Sequence, residues 1–222
     1  MAPERNIKKR QDILKVSFRM ISEAGYDNVL LKDIANNAGI SKSLLQHYFP
    51  KKSSIIKALL QDLLSVSFRF AEQLIPAEEG IFQRFSLYTA LFFKALSENE
   101  RLDRMYISIL SDKDLLNIWV EAAVSWAVEP YHDLGNAGDE EKLRIGLYYG
   151  LSGGGELYMH RNELQIDTFF IAAQMNASMM WMFGYSEKEI KRILKRSVEM
   201  FDDDTVELYH KYCEENILWL IP

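Results

Sequence analysis

The chain has 222 residues, 48% of them hydrophobic, and a net charge of −6. That is enough apolar content for one large domain or a small head on a larger body, and too little for a membrane protein. A single cysteine, Cys213, excludes an intramolecular disulfide framework and fits a reducing, cytoplasmic setting.

The first ten residues are polar with no apolar core behind them, so they do not read as a signal peptide. The longest apolar run, 169–183, contains Gln174, Asn176 and Ser178 and falls short of the roughly 18 residues a spanning helix needs. Five prolines and few turn clusters favour an all-α chain. Charge is distributed unevenly. Residues 1–53 carry ten Lys and Arg against five Asp and Glu, whereas the remainder carries 16 against 27. A basic head on an acidic body is the asymmetry expected if only the head meets phosphate.

The first predicted helix covers 7–24, with Ile13, Leu14, Phe18 and Ile21 inward and Gly25 ending it. Arg5, Lys8, Lys9 and Arg10 precede or open it, either as a solvated turn or as a basic arm that touches DNA. Next comes the stretch 32–52. Ile34, Ala35 and Ala38 form one apolar helical face. Gly39 stands where a helix ends in the left-handed conformation. Ser41 caps a second short helix, about 42–48, which Pro50 stops. Two helices about a three- or four-residue glycine turn are a helix-turn-helix, whose second helix enters the major groove in DNA-binding versions. The same corner also occurs in plain helical bundles.

From 54 to about 74 the pattern is one long amphipathic helix, some 30 Å at about 1.5 Å per residue, ended by Ile75-Pro76. Further helices are expected near 79–98, 100–110, 112–133, 139–160, 166–183, 186–200 and 204–220. Capping boxes are read at Ser186/Glu189 and Asp204/Glu207. Gly146, Gly150 and Gly154 recur every four residues, which suggests close approach by another helix, since each glycine costs up to ~1 kcal/mol in a helix interior. They stand as a dimer seam or the wall of a pocket beside it, unless 153–155 breaks the helix. Met179 and its neighbouring methionines would supply adaptable surface there.

The body is rich in rings. Phe82, Phe85, Tyr88, Phe93, Tyr131 and Tyr148 belong to this set. Phe92, Tyr106, Trp119, Trp126 and Tyr149, with Met175, are the leading candidates for lining an apolar small-molecule cavity, although each ring alone is better explained by core. Glu121, Glu156, His160, Gln174 and Asn176 on the same helices could orient a ligand. A cavity above about 300 Å³ would favour a ligand sensor, and a filled core a body used only for association. Catalytic chemistries find no support. The glycine run at 153–155 is not followed by Lys-Ser/Thr, the four histidines lack zinc spacing, and Asp202 to Asp204 stand at a helix start, where acids suit the dipole. No metal, no cofactor and no enzyme activity are expected.

The first fifty or so residues resemble the DNA-binding domain of the tetracycline-repressor (TetR) family. The matching positions are Phe18, Gly25, Tyr26, Asp33, Ile34, Ala35, Ala38, Gly39, Ile40, Ser41, Lys42, Leu45, Tyr48, Phe49 and Lys52. The chain departs from the family's usual Thr at Leu30, where Asn28 or a shifted start must cap the helix. It also departs from the usual Gly-Thr at Ser43-Leu44 and from a phosphate-contacting Tyr at Gln46. These changes leave the operator sequence open.

The resemblance implies a helix-turn-helix domain over 1–53 and an all-helical ligand-binding and dimerisation domain over 54–222. It implies a homodimer that binds double-stranded operator DNA as a repressor and is released by a small, largely apolar or aromatic effector. A ligand-independent dimeric DNA-binding or architectural protein is the alternative. Ser41, Lys42, Ser43, Leu44, Gln46, His47, Tyr48 and Lys52 are the expected DNA-binding residues. Tyr48 and Lys52 are placed on phosphates. Gln46 can bond a phosphate or read an adenine edge, and Leu44 can meet a thymine methyl. In the family, the helix carrying the glycines and the one after it pack against their copies as a four-helix dimer interface.

Overall fold

The computed structural model describes residues 2–128 and 137–220, and all regular structure among them is helical. The head comprises α1 (Ala2–Ala24), α2 (Leu31–Asn37) and α3 (Lys42–Tyr48). Ile13, Leu14, Phe18 and Ile21 of α1 meet Ile34 and Ala35 of α2, Leu45 of α3 and Phe49 in one buried cluster. Gly25 and Gly39 both hold positive φ (83° and 63°), the conformation that lets each helix end in a tight corner.

The long helix α4 (Lys52–Leu74) leaves the head and runs into the body, where Leu59, Leu60, Leu63, Leu64 and Phe68 are buried. Ile75, ahead of Pro76, ends it, and a single 3₁₀ turn follows (Ala77–Glu79). The body is completed by α5 (Ile81–Glu98), α6 (Glu100–Leu110), α7 (Lys113–Val128), α8 (Ala137–Met159), α9 (Arg161–Leu164), α10 (Thr168–Met182), α11 (Glu187–Met200) and α12 (Asp203–Asn216). Helix α5 is the central member, with Phe82, Leu87, Leu91, Phe92, Phe93 and Leu96 all buried. The Ser186/Glu189 capping box forms as read. The last helix starts at Asp203, one residue earlier than expected, and its cap is Asp202 rather than Asp204, accepting from Thr205 N–H at 2.8 Å. It also ends earlier, and residues 218–220 form a turn.

Helix α8 is continuous through Gly153 to Gly155. Its glycine stripe, expected as a dimer seam or the wall of a pocket beside it, faces α10 of the same chain. A Cβ on Gly154 would sit 2.3 Å from Met175 Sδ, one on Gly146 3.2 Å from Met179 Cγ, and one on Gly150 3.9 Å from Met175 Cβ. Met179 itself is buried. The glycines let methionines of α10 lie directly on the α8 backbone, so their place is intramolecular. Exposed apolar residues stand on both helices, Ile145 and Tyr149 on α8 and Phe170 and Trp181 on α10, at 53%, 66%, 43% and 58% exposure.

Candidate nucleic-acid interface and core cavity

Helix α3 is held by its inward side and presents the rest. Leu45 and Phe49 are buried, so at 100° per residue Ser43 and His47 point directly outward, with Leu44 and Gln46 on the flanks. Lys42, Ser43, Leu44, Gln46 and His47 are all exposed. Ser41 caps the helix, its Oγ accepting from Leu44 N at 3.2 Å and lying 3.0 Å from Ser43 Oγ. Ser41 is therefore committed to building the helix, and Ser43 shares that hydroxyl pair. Tyr48 is half-buried, and its hydroxyl donates to Asn6 Oδ1 of α1, which ties the end of the recognition helix to the basic start of the chain. Lys8 beside it is exposed, and Arg5 lies outside the residues whose side chains are described.

Two expectations change. Lys52 does not reach outward. Its ammonium donates to the carbonyls of Tyr26 and Val29, the latter at 2.9 Å, and lies 4.0 Å from the centre of the Tyr26 ring. It thus fastens the loop between α1 and α2, and burial pushes its pKa down. The neighbouring Lys51 is the exposed lysine at this helix start. Asn28 does not cap α2. It donates to Ala24 O at 2.9 Å and so closes the end of α1, while Leu30 stands at the α2 N-cap with no side-chain bond. A short polar side chain can serve either helix end, and only the loop's path selects which.

In the body, an apolar cavity of about 60 Å³ lies between α4, α5, α7, α8 and α10. Of the expected residues it brings together Phe92, Trp119 and Met175, with Gly150 in its wall. Tyr106 stands one layer behind, 6.2 Å from Phe92 and 4.9 Å from Trp119 between ring centres, its hydroxyl buried and unpartnered among the described residues. Burial raises the Tyr106 pKa well above the usual phenol value. Tyr149 points away to solvent, and Trp126 lies outside the residues whose side chains are described.

Phe85, Tyr88 and Asn176, from the wider set of rings and polar residues, line it too, whereas sequence reasoning missed Leu64, Thr89 and Leu147. Thr89 carried no signal, being a single hydroxyl in an apolar helix. Thr89 donates to Phe85 O at 2.6 Å, and Asn176 spends an amide hydrogen on Ala172 O at 2.8 Å, which leaves Oδ1 to accept. Among the described residues no charged one lines this cavity. Its volume is well below both the 300 Å³ expected of a ligand site and the roughly 150 Å³ of a cavity that admits benzene.

A larger concavity, about 840 Å³, lies between α4, α5, α6 and α12, but it is open and edged by Glu98, Glu214, Glu215, His210 and Lys211. Among the described residues no group of three metal-ligating side chains converges. His160 meets Glu163 through Nδ1 (3.2 Å) and Glu156 through Nε2 (3.8 Å), opposite sides of the ring, so the carboxylates cannot share one ion with it. No helix among these residues is long and apolar enough to cross a membrane.

Fold and site together define a protein with a small helix-turn-helix head carried on an all-helical body. Residues 13–59 match the family described as bacterial regulatory proteins, tetR family. KstR2 of Mycolicibacterium smegmatis, an HTH-type transcriptional repressor, is 25% identical over 91 residues, covering 40% of this chain and 44% of KstR2. BetI of Escherichia coli, an HTH-type transcriptional regulator, is 30% identical over 57 residues, covering 26% of this chain and 29% of BetI. The matched stretches therefore span less than half of either relative.

Among solved structures, RolR in complex with its ligand resorcinol aligns with TM-score 0.61 at 16% identity, over 88% of this chain and 97% of RolR. SmeT, the repressor of a Stenotrophomonas maltophilia multidrug efflux pump, aligns with TM-score 0.53 at 19% identity, over 78% and 88%. The head is thus similar in sequence to the DNA-binding segment of the tetR family, and the structural likeness adds the fold of the whole.

Proposed function

We propose that this chain is a cytoplasmic, homodimeric transcription regulator that binds operator DNA through α3 and represses until a small neutral ligand enters its body. The observation that carries the DNA reading is the α3 surface. Its polar and basic residues are exposed, its two apolar anchors are buried, and it sits on the positively charged part of an otherwise acidic chain. Lys42, Ser43, Leu44, Gln46 and His47 reach base edges or phosphates. Tyr48 and Lys51 hold phosphates at either end and fix the register. Two heads in a dimer read a pseudo-palindrome with half-sites a helical turn or somewhat more apart. The dimer face is the exposed apolar side of α8 and α10, with Ile145, Tyr149, Phe170 and Trp181 at its centre.

The ligand reading rests on the uncharged cavity. A charged ligand would lose hydration with no partner to replace it, so a neutral, apolar or aromatic molecule is favoured. At about 60 Å³ the cavity must widen to admit one, and Met175 and Met179 are the adaptable residues in its wall. Leu64 of α4 lines the same cavity, so widening displaces the helix that carries the head. A ligand that needs the wide state binds it preferentially, and about a 10⁴-fold preference is needed to swing occupancy fully. The small cavity also favours the second reading, a DNA-binding dimer whose body serves only association.

Fluorescence anisotropy on DNA from upstream of the chain's own gene, titrated with salt, tests the first reading. Specific binding with a steep salt slope is expected, and binding no tighter than to random DNA, over this and a genome-wide selection, defeats it. Reciprocity separates the two body readings. A single-ring phenol, the class of resorcinol, is a suitable first probe of a wider panel of neutral aromatics. An effector that weakens operator binding must itself bind more weakly to the DNA complex. No such coupling across the panel leaves the ligand-independent dimer.

A further inference from the structure

Past the end of α12 the chain turns back across the junction between head and body. Ile217 and Trp219 of this turn are each 1% exposed. The Trp219 ring lies 4.9 Å from that of Phe18 on α1, and its Nε1–H donates to Asp62 Oδ2 on α4 at 3.0 Å. The same Asp62 oxygen is 3.9 Å from Arg10 Nη1 on α1, and the Gln11 side chain also bonds this carboxylate. The Arg10 guanidinium in turn lies 5.6 Å from the centre of the Phe49 ring. Phe49 is the C-cap of α3 and 3% exposed. A continuous chain of contacts thus runs from the last turn of the body to the end of the recognition helix.

We propose that the C-terminal turn is a strap that sets the angle of the DNA-reading head on the body, with Trp219 as its positioning residue. Three features carry this. The turn spans α1 and α4, so it bridges the first helix of the head and the helix that leaves it. The indole makes both a ring contact to one and a hydrogen bond to a carboxylate on the other, which fixes direction as well as proximity. Asp62 is a partly buried carboxylate whose pKa burial pushes up, against the pull of Arg10, Trp219 and Gln11. A charge kept there at a desolvation cost specifies geometry better than it stabilises. Asp62 also stands two residues from Leu64, so the strap grips α4 beside the cavity wall and resists the displacement that widening demands. The consequence for operator choice rests on the DNA reading above, whereas the strap itself is an intrachain property.

Its test is the distance distribution between spin labels on Asn36→Cys in α2 and Lys188→Cys in α11, within one labelled chain diluted in unlabelled protein. Cys213 is buried, with its thiol pKa pushed up to about 12, and does not compete for label. Wild type should give a narrow distribution. Trp219→Ala should broaden it, and Trp219→Phe, which keeps the ring contact but loses the N–H, should fall between. Asp62→Asn serves as the third variant should Trp219→Ala not fold.

An unchanged width in the folded variants overturns the strap, whether or not the chain binds DNA. If it does bind, Trp219→Phe should discriminate less between operators that differ by one base pair in half-site spacing. Its affinity for the best operator should fall about tenfold. The salt slope should stay as in wild type, because no phosphate contact is lost. Spacing discrimination equal to wild type would overturn the proposal as well.

Discussion

Replacing Lys52 by alanine separates two roles that one lysine cannot fill at once. In the structure its ammonium donates to the carbonyls of Tyr26 and Val29 and lies over the Tyr26 ring. Hydrogen bonds to a charged group are worth roughly 1.5–3 kcal/mol each, and a partly exposed cation–π contact about 0.5–1 kcal/mol. The side chain is only half-buried, so solvent competes for it, and about 2 kcal/mol is a reasonable net loss for the pair of bonds. In a protein of this size that lowers the melting temperature by roughly 4–8 °C. The salt slope of operator binding should meanwhile stay near the wild-type value.

Lys51→Ala should do the reverse. Its stability should be within about 0.5 kcal/mol of wild type, as for most surface substitutions. The salt slope should flatten by about 0.9 for the lost phosphate contact. Calorimetry and anisotropy on the same two preparations decide the matter. A Lys52→Ala variant that melts like wild type and loses one unit of salt slope would refute the reasoning. It would show that the lysine leaves the carbonyls and meets phosphate.

Gly154→Ala should cost about 1–3 kcal/mol, because its Cβ would overlap the middle of the Met175 side chain. Gly146→Ala, whose nearest neighbours need give only slightly, should cost clearly less, and denaturant midpoints check the order. Trp181→Glu places a charge on the exposed apolar face of α10 and should convert a dimer to monomer in sedimentation, with the helical content kept. Asp62 has a folded pKa raised mainly by burial, so its protonated form is favoured by folding. That contribution is fully present below the unfolded value of about 3.9 and is lost as pH rises through the folded value. The stability of wild type relative to Asp62→Asn should therefore fall between acid and neutral pH. A relative rise over that interval would contradict the burial-dominated assignment.

Local chemistry made the head legible. Gly25 and Gly39 take the positive φ that their places at helix ends required, and Ser41 caps α3. Proline and glycine act within a residue or two, and a cap within three, so their effects can be read from neighbours alone. The all-α class followed from periodicity and from the scarcity of turn residues. Directions of side chains did not follow.

Apolar residues lie all round α10, so its pattern names no inner face, and only packing against α8 and α5 turned Met175 and Met179 inward and Trp181 out. Tyr149 and Phe92 read alike as aromatic residues in apolar helices, yet one faces solvent and the other a cavity. Lys52 and Asn28 were assigned partners from their position in a motif. The path of the 25–30 loop brought carbonyls within reach of the first and the end of α1 within reach of the second. Trp219 is separated from Phe18 and Asp62 by most of the chain, and no spacing rule spans that distance. What the sequence by itself determined was which residues start, stop and sheathe each helix, because those forces are short-ranged. Which faces meet, how much room is left between them and what ties the head to the body were decided by the tertiary structure, where contacts are set by competition among all the helices for the same burial.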